Sequence, residues 1–130
     1  YWGDDKIERI IEDFWPGPLT LVLPARRELP EFLKGPNQTI ALRWSSSSVV
    51  QEMIKLGECP LIGTSANLSG MPSCSSSAEV VEQFGDQTPL LVDSGVLPEN
   101  PPTTLLDCTR NPFSFIRSGS IDQKILEDYI

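Results

Sequence analysis

The chain has 130 residues, 39% of them hydrophobic, with a formal net charge of −8 and no histidine. That size and apolar content suit one globular domain burying about two-thirds of its unfolded surface, while the negative charge argues against the broad phosphate-binding face that duplex nucleic acid requires. Without histidine, Ser-His-Asp and Cys-His nucleophile systems and histidine metal sites are excluded within these residues, and no apolar run approaches the roughly 20 residues of a membrane-spanning helix.

Asp4 or Asp5 can cap a helix whose apolar positions Ile7, Ile10, Ile11 and Phe14 recur at helical spacing, and Trp15-Pro16-Gly17-Pro18 must end it. Leu19 to Leu23 reads as a strand, Ala25 to Gln38 as a loop with one helical turn around Glu31 to Lys34, and Thr39 to Arg43 as a second strand. The run Ser45 to Ser48 precedes Val49, Val50, Met53, Ile54 and Leu56, so it predicts a helix start, with Gly57 as its stop. Pro60 to Gly63 reads as a buried strand that hands over to a polar loop, Thr64 to Gly70. Ser76 and Glu79 form a capping-box pattern before a helix that ends at Gly85. Pro89 to Val92 reads as a strand, and Asp93 to Pro102 as a connection. Thr103 to Cys108 and Phe113 to Arg117 flank a turn containing Asn111-Pro112 and predict a hairpin. Ser120 and Gln123 repeat the capping-box pattern before a last helix carrying Ile125, Leu126 and Tyr129. The fold class that follows is α/β of the α+β type, a twisted mixed parallel/antiparallel sheet flanked by helices.

Several predicted strand ends carry a guanidinium or a short oxygen-bearing side chain: Arg43, Ser65 with Asn67, Thr103 with Thr104, and Arg117. Arginine forks match carboxylate and phosphate oxygens, and hydroxyls and amides complete such cradles, so the set suits an anionic small ligand. Each member also has an ordinary reading. A lone arginine can be a surface ion pair, Thr103 and Thr104 can be simple strand formers, Ser75 can be a cap, and the 64–70 loop can be a turn. Three cysteines, Cys59, Cys74 and Cys108, are odd in number and lack metal-like spacing, so a reducing, cytoplasmic setting is expected.

Six motifs now stand in order: Phe14-Trp15-Pro16-Gly17-Pro18-Leu19-Thr20, the Arg43 strand, Thr64-Ser65-Ala66-Asn67-Leu68-Ser69-Gly70, Val92-Asp93-Ser94-Gly95, Thr103-Thr104-Leu105-Leu106-Asp107, and Ile116-Arg117-Ser118-Gly119-Ser120. Together they resemble the YrdC-like L-threonylcarbamoyladenylate synthase family. The resemblance implies a nucleotidyltransferase that joins L-threonine, bicarbonate and ATP into threonylcarbamoyl-AMP with release of diphosphate, for the N6-threonylcarbamoyl modification of tRNA adenosine. It implies Arg43, Ser65 and Thr103 as L-threonine contacts, and Thr39, Asn67, Ser75 and Arg117 as ATP contacts. It implies Mg²⁺ arriving with ATP, and tRNA or tRNA-modification proteins as further partners. No catalytic nucleophile is singled out, because such a reaction rests on positioning and charge stabilisation.

Family members carry a Thr-Asp-Thr-x-Tyr-Gly-like run and a Lys-x-Arg motif ahead of the first helix, and neither occurs here. With Tyr1 as the first residue, the expectation is a single YrdC-like domain over 1–130 that lacks its N-terminal segment. Where the family has a proline two residues after the Arg43 position, this chain has Ser45. Two other readings stand beside the synthase. One is the carbamoyl-adenylate domain of hydrogenase-maturation carbamoyltransferases, whose zinc-finger and acylphosphatase-like neighbours are absent from these residues. The other is a non-catalytic module of the same fold that binds a nucleotide or RNA.

Overall fold

The computed structural model describes residues 4–98 and 101–130; Tyr1 and positions 99–100 of the expected 93–102 connection lie outside them. Internal contacts divide the chain into two compact units, Tyr1–Glu58 with Pro101–Ile130, and Cys59–Asn100. Among the described residues no helix is long and apolar enough to cross a membrane.

In the first unit, helix α1 (Asp5–Phe14) starts where the Asp4 carboxylate accepts the Lys6 N–H, an aspartate cap that satisfies one orphan donor of the first turn. Strand β1 (Leu19–Pro24) alternates, with Leu19, Leu21 and Leu23 buried while Thr20 and Val22 are half-buried. The period of two therefore gives β1 a core face and a second, more open face. Strand β2 (Thr39–Leu42) pairs antiparallel with β1, matching Leu21 to Leu42 and Pro24 to Thr39. Strand β3 (Thr104–Asp107) lies parallel to β1 on its other side, and β4 (Ser114–Arg117) closes the hairpin antiparallel to β3. The sheet order is β2-β1-β3-β4, a mixed sheet as expected.

Ile7 and Ile10 of α1, the three β1 leucines, Leu106, Cys108, Phe113 and Leu126 form the core. Burial of each large aliphatic side chain contributes about 1.5–3 kcal/mol. The C-terminal helix α4 (Gln123–Leu126) runs into a helical turn over Glu127–Tyr129, where Tyr129 packs edge-on against Phe14 and donates to Asp13 Oδ2 at 2.6 Å. Its cap is Asp122, not Ser120. The Ser120 hydroxyl instead donates to the Pro101 and Pro102 carbonyls, so the capping-box reading of Ser120 and Gln123 is corrected.

Helix α2 (Ser48–Gly57) is capped by Ser47 and buries none of its side chains. Gly57 is its last helical residue, and Glu58 takes the left-handed conformation expected for the stop, at φ 49°.

In the second unit, α3 (Ser77–Phe84) begins at Ser76, whose hydroxyl accepts the Glu79 N–H, and ends at Gly85. The strands expected at Pro60 to Gly63 and Pro89 to Val92 are absent, and Leu61, Ile62, Leu90, Leu91 and Val92 are exposed. An apolar run becomes a strand only when a neighbour satisfies its backbone, and no described strand pairs with either segment.

Candidate functional site

The open side of the β1–β3–β4 sheet carries a cluster of oxygen and guanidinium groups. Hydrogen bonding at the head of β3 separates two threonines that the sequence leaves equivalent. Thr104 is fully buried; its hydroxyl donates to the Ile121 carbonyl at 2.9 Å and accepts the Ile121 N–H at 3.0 Å, which ties β3 to the approach of α4. Thr103 is half-buried, and its hydroxyl lies 2.9 Å from that of Thr20. Arg117, at the end of β4, donates Nε and Nη2 to the Thr103 carbonyl at 3.2 and 3.0 Å, and Nη2 to the Thr103 hydroxyl at 3.1 Å. Thr20, Thr103 and Arg117 thus form one chain of hydrogen bonds across three neighbouring strands.

Gly119 makes this approach possible. A Cβ there would lie 2.2 Å from the Pro102 carbonyl oxygen and 2.5 Å from backbone atoms of Thr103 and Thr104, so only glycine lets the chain after β4 pass so close to the head of β3.

Arg43 follows β2 directly, and because Leu42 pairs with Leu21, the strand delivers it beside the start of β1. Its Nη2 donates to the Ser45 hydroxyl at 3.3 Å, and that hydroxyl also accepts the Ser47 N–H at 3.2 Å. The residue that replaces the family's proline therefore holds both the arginine and the turn into α2. Arg43 lines a groove of about 420 Å³ with Trp15, Leu42, Trp44, Ser45, Val50, Gln51, Ile54 and Lys55, a volume within the range of small-molecule sites.

Among the described residues the salt bridges are Glu31–Lys34, Glu52–Lys55 and Asp107–Arg110. Among the described residues neither Arg43 nor Arg117 is paired with a carboxylate, in a chain that carries 18 acidic residues. Among the described residues, then, the surface ion-pair reading of the two arginines finds no partner. Thr39 opens β2 at the end away from Arg43, and its hydroxyl donates to the Pro36 carbonyl at 2.8 Å. The cluster of Thr103 with Arg117 does not extend by hydrogen bonds to Thr39 or Arg43.

In the second unit, Asn67 braces its own loop: Nδ2 donates to the Leu68 carbonyl at 3.0 Å, and Oδ1 accepts the Ser73 hydroxyl at 3.4 Å. Gln83 of α3 holds this loop by accepting the Leu68 N–H and donating to the Pro72 carbonyl, each at 3.0 Å. Ser65 is exposed, and its carbonyl accepts the Asn67 N–H. Ser75 gives its N–H to Glu79 at 2.7 Å and its hydroxyl to the same carboxylate at 3.3 Å. Ser75 borders a small pocket of about 120 Å³ that Asp93 also lines. The Gly95 N–H, and then the Ser77 hydroxyl, hold the Asp93 carboxyl below its usual range. No group of three or more His, Cys, Asp and Glu side chains gathers to hold a metal ion among the described residues.

Thr20 and Ser45 carry no role in the sequence reading. The one polar residue within Leu-Thr-Leu-Val-Leu was the available signal for Thr20, since an open-face position in an apolar strand has no packing reason to hold a hydroxyl. Its partner Thr103 lies 83 residues away, a distance no local pattern spans.

Fold and site together define a mixed α/β domain whose open sheet face presents hydroxyls and a guanidinium without a carboxylate partner among the described residues. The chain belongs to the Sua5/YciO/YrdC family: the family model described as "Telomere recombination" matches residues 3–119. It is 33% identical over 126 residues to a threonylcarbamoyl-AMP synthase of Pyrococcus abyssi, covering 97% of this chain and 37% of that protein. To a threonylcarbamoyl-AMP synthase of Klebsiella pneumoniae it is 42% identical over 87 residues, 67% of this chain and 46% of that protein. Among solved structures, P. abyssi Sua5 complexed with L-threonine superposes with a TM-score of 0.89 at 33% identity, over 98% of this chain and 37% of that one. Escherichia coli YciO superposes with a TM-score of 0.83 at 26% identity, over 98% of this chain and 61% of that one. The chain thus spans less than two-thirds of the length of each of these proteins.

Proposed function

We propose that this chain is the part of an L-threonylcarbamoyladenylate synthase that holds L-threonine and the nucleotide. In this reading the amine of L-threonine takes up bicarbonate, losing water, to give a carbamate. A carbamate oxygen then attacks the α-phosphorus of ATP, forming threonylcarbamoyl-AMP as the bond to diphosphate breaks. The observation that carries the reading is the Thr103–Arg117 contact, in which hydroxyl and guanidinium donors meet on an open face and no carboxylate among the described residues pairs with the guanidinium. In a chain of net charge −8, cationic groups left unpaired suit an anionic ligand. Family membership and the likeness to Sua5 complexed with L-threonine support the choice of that ligand.

Arg43, Ser65 and Thr103 are assigned to L-threonine, with Arg43 as the fork for its carboxylate. Thr39, Asn67, Ser75 and Arg117 are assigned to ATP. Ser75 and Thr39 each donate their hydroxyl within the chain, so they meet the nucleotide as acceptors or after exchanging a bond. Mg²⁺ enters as part of the nucleotide substrate, held by phosphate oxygens and water, in keeping with a donor set built from hydroxyls, amides and arginines. The product then passes to tRNA adenosine modification in the cytoplasm, with tRNA or tRNA-modification proteins as partners.

The test is diphosphate release from ATP by the full-length protein, with L-threonine and bicarbonate added separately and together. The reading expects release only with both. Equal release without L-threonine would refute it, and salt-sensitive tRNA binding without ATP binding would favour a non-catalytic module instead.

A further inference from the structure

Thr20 has a hydroxyl where the β1 pattern needs none. Thr20 lies on the open face of an otherwise aliphatic strand, and the hydrogen bond of its hydroxyl is the 2.9 Å contact with Thr103 Oγ1. What that contact does follows from counting the sites on the Thr103 oxygen. A threonine hydroxyl has one proton and two acceptor positions. Arg117 Nη2 already fills one acceptor position of Thr103, at 3.1 Å.

If Thr20 donates into the other, both acceptor positions are occupied, and the single proton of Thr103 has to point at the ligand. Thr103 is then a donor only. If instead Thr103 donated to Thr20, it would offer the ligand a lone pair beside a guanidinium. An anionic oxygen next to Arg117 favours the first arrangement, because it draws the free proton outward and repels a lone pair.

We propose that Thr20 is a positioning residue: by donating to Thr103 Oγ1 it fixes that hydroxyl as a donor to an anionic oxygen of the amino-acid substrate, the carboxylate of L-threonine or its carbamate. The inference rests on the assignment of Thr103 to L-threonine made above. It also predicts why threonine or serine at position 20 is not equivalent to valine, although all three fit a half-buried strand position.

The experiment is calorimetric titration of L-threonine and, separately, of ATP into the full-length wild type, Thr20→Val and Thr20→Ser, with thermal unfolding recorded for each. Thr20→Val should weaken L-threonine binding about three- to tenfold, the order expected for one neutral hydrogen bond, and leave ATP binding within about twofold. Thr20→Ser should restore wild-type binding, which a loss of packing would not do. In a Thr103→Val background, Thr20→Val should have no further effect on L-threonine. Thr20→Ala serves as the second hydroxyl-free variant should valine disturb folding. Wild-type affinity in Thr20→Val, equal loss in Thr20→Ser, or a full additional loss in the Thr103→Val background would each overturn the proposal. Wild type that binds L-threonine but releases no threonine-dependent diphosphate would overturn the proposed activity while the Thr20 comparison still decides this point. Wild type that fails to bind L-threonine would overturn both.

Discussion

Thr103 and Thr104 are adjacent, chemically identical and opposite in role, so replacing each by valine separates stability from binding. The Thr104 hydroxyl makes two bonds to one residue, at 2.9 Å to the Ile121 carbonyl and 3.0 Å from its N–H. Valine keeps the volume but leaves both backbone groups without partners. Each lost bond costs about 1 kcal/mol net, and more where the orphaned group is shielded from water. Ile121 is half-buried, which lets water recover part of this, and the added methyl gains less than about 1 kcal/mol. The sum for Thr104→Val is a loss of about 1–3 kcal/mol.

Thr103→Val removes bonds to Thr20 and Arg117 at a half-buried position, so its stability cost stays below about 1 kcal/mol. Its L-threonine affinity should fall about tenfold, the order of one hydrogen bond to a charged group. Urea unfolding, read with an unchanged m-value, and calorimetric titration measure the two quantities. If Thr103→Val destabilises as much as Thr104→Val, or Thr104→Val weakens L-threonine binding with no loss of stability, the division of roles is wrong.

Three further outcomes follow from the same geometry. Gly119→Ala forces a Cβ against the Pro102 and Thr103 backbone and should cost at least about 1–3 kcal/mol, with weakened L-threonine binding; an alanine variant of wild-type stability would contradict the close approach. Burial, aided by the negative charges of Asp107 and Asp4, pushes the Cys108 thiol up to about 12, so at pH 8 a thiol reagent should modify exposed Cys59 and spare Cys108 until the chain unfolds. Mass mapping of the modified cysteines checks this.

Burial also pushes the Asp107 carboxyl up, but the Thr109 hydroxyl and N–H and the Arg110 guanidinium outweigh it and hold it below the usual carboxylate range. Its ionised form therefore stabilises the fold fully above the unfolded value of about 3.9, and that contribution is lost as pH falls through the lower folded value. Asp107→Asn should show a shallower loss of stability than wild type on acidification from pH 5 to about pH 2, by urea unfolding at each pH. Parallel curves would show that Asp107 takes no part in the acid limb.

The features legible in the sequence are those decided within a few residues. Asp4 and Ser76 cap their helices because a short oxygen-bearing side chain meets an unsatisfied N–H two or three positions on. The hairpin of β3 and β4 was legible from two strand-forming runs around Asn111-Pro112. Pro60 to Gly63 and Pro89 to Val92 failed because an apolar run does not carry its own ladder partner, and both lie exposed without one among the described residues.

Ser120 failed for a competing reason: the carbonyls of Pro101 and Pro102 take the hydroxyl that the capping pattern would have used. In the site, Arg117 and Thr103 were legible as residue types at strand ends. Their direct contact, and the entry of Thr20 into it, depend on strand order and register across the sheet, which no local spacing encodes.

The most direct measurement follows the carbon of bicarbonate. With ¹³C-bicarbonate, L-threonine and Mg-ATP, the full-length protein should give a carbonyl ¹³C signal split by the α-phosphorus, together with the L-threonine-dependent loss of ATP. Conversion of ATP with the label remaining in bicarbonate, or a labelled product that forms equally without L-threonine, would contradict the account.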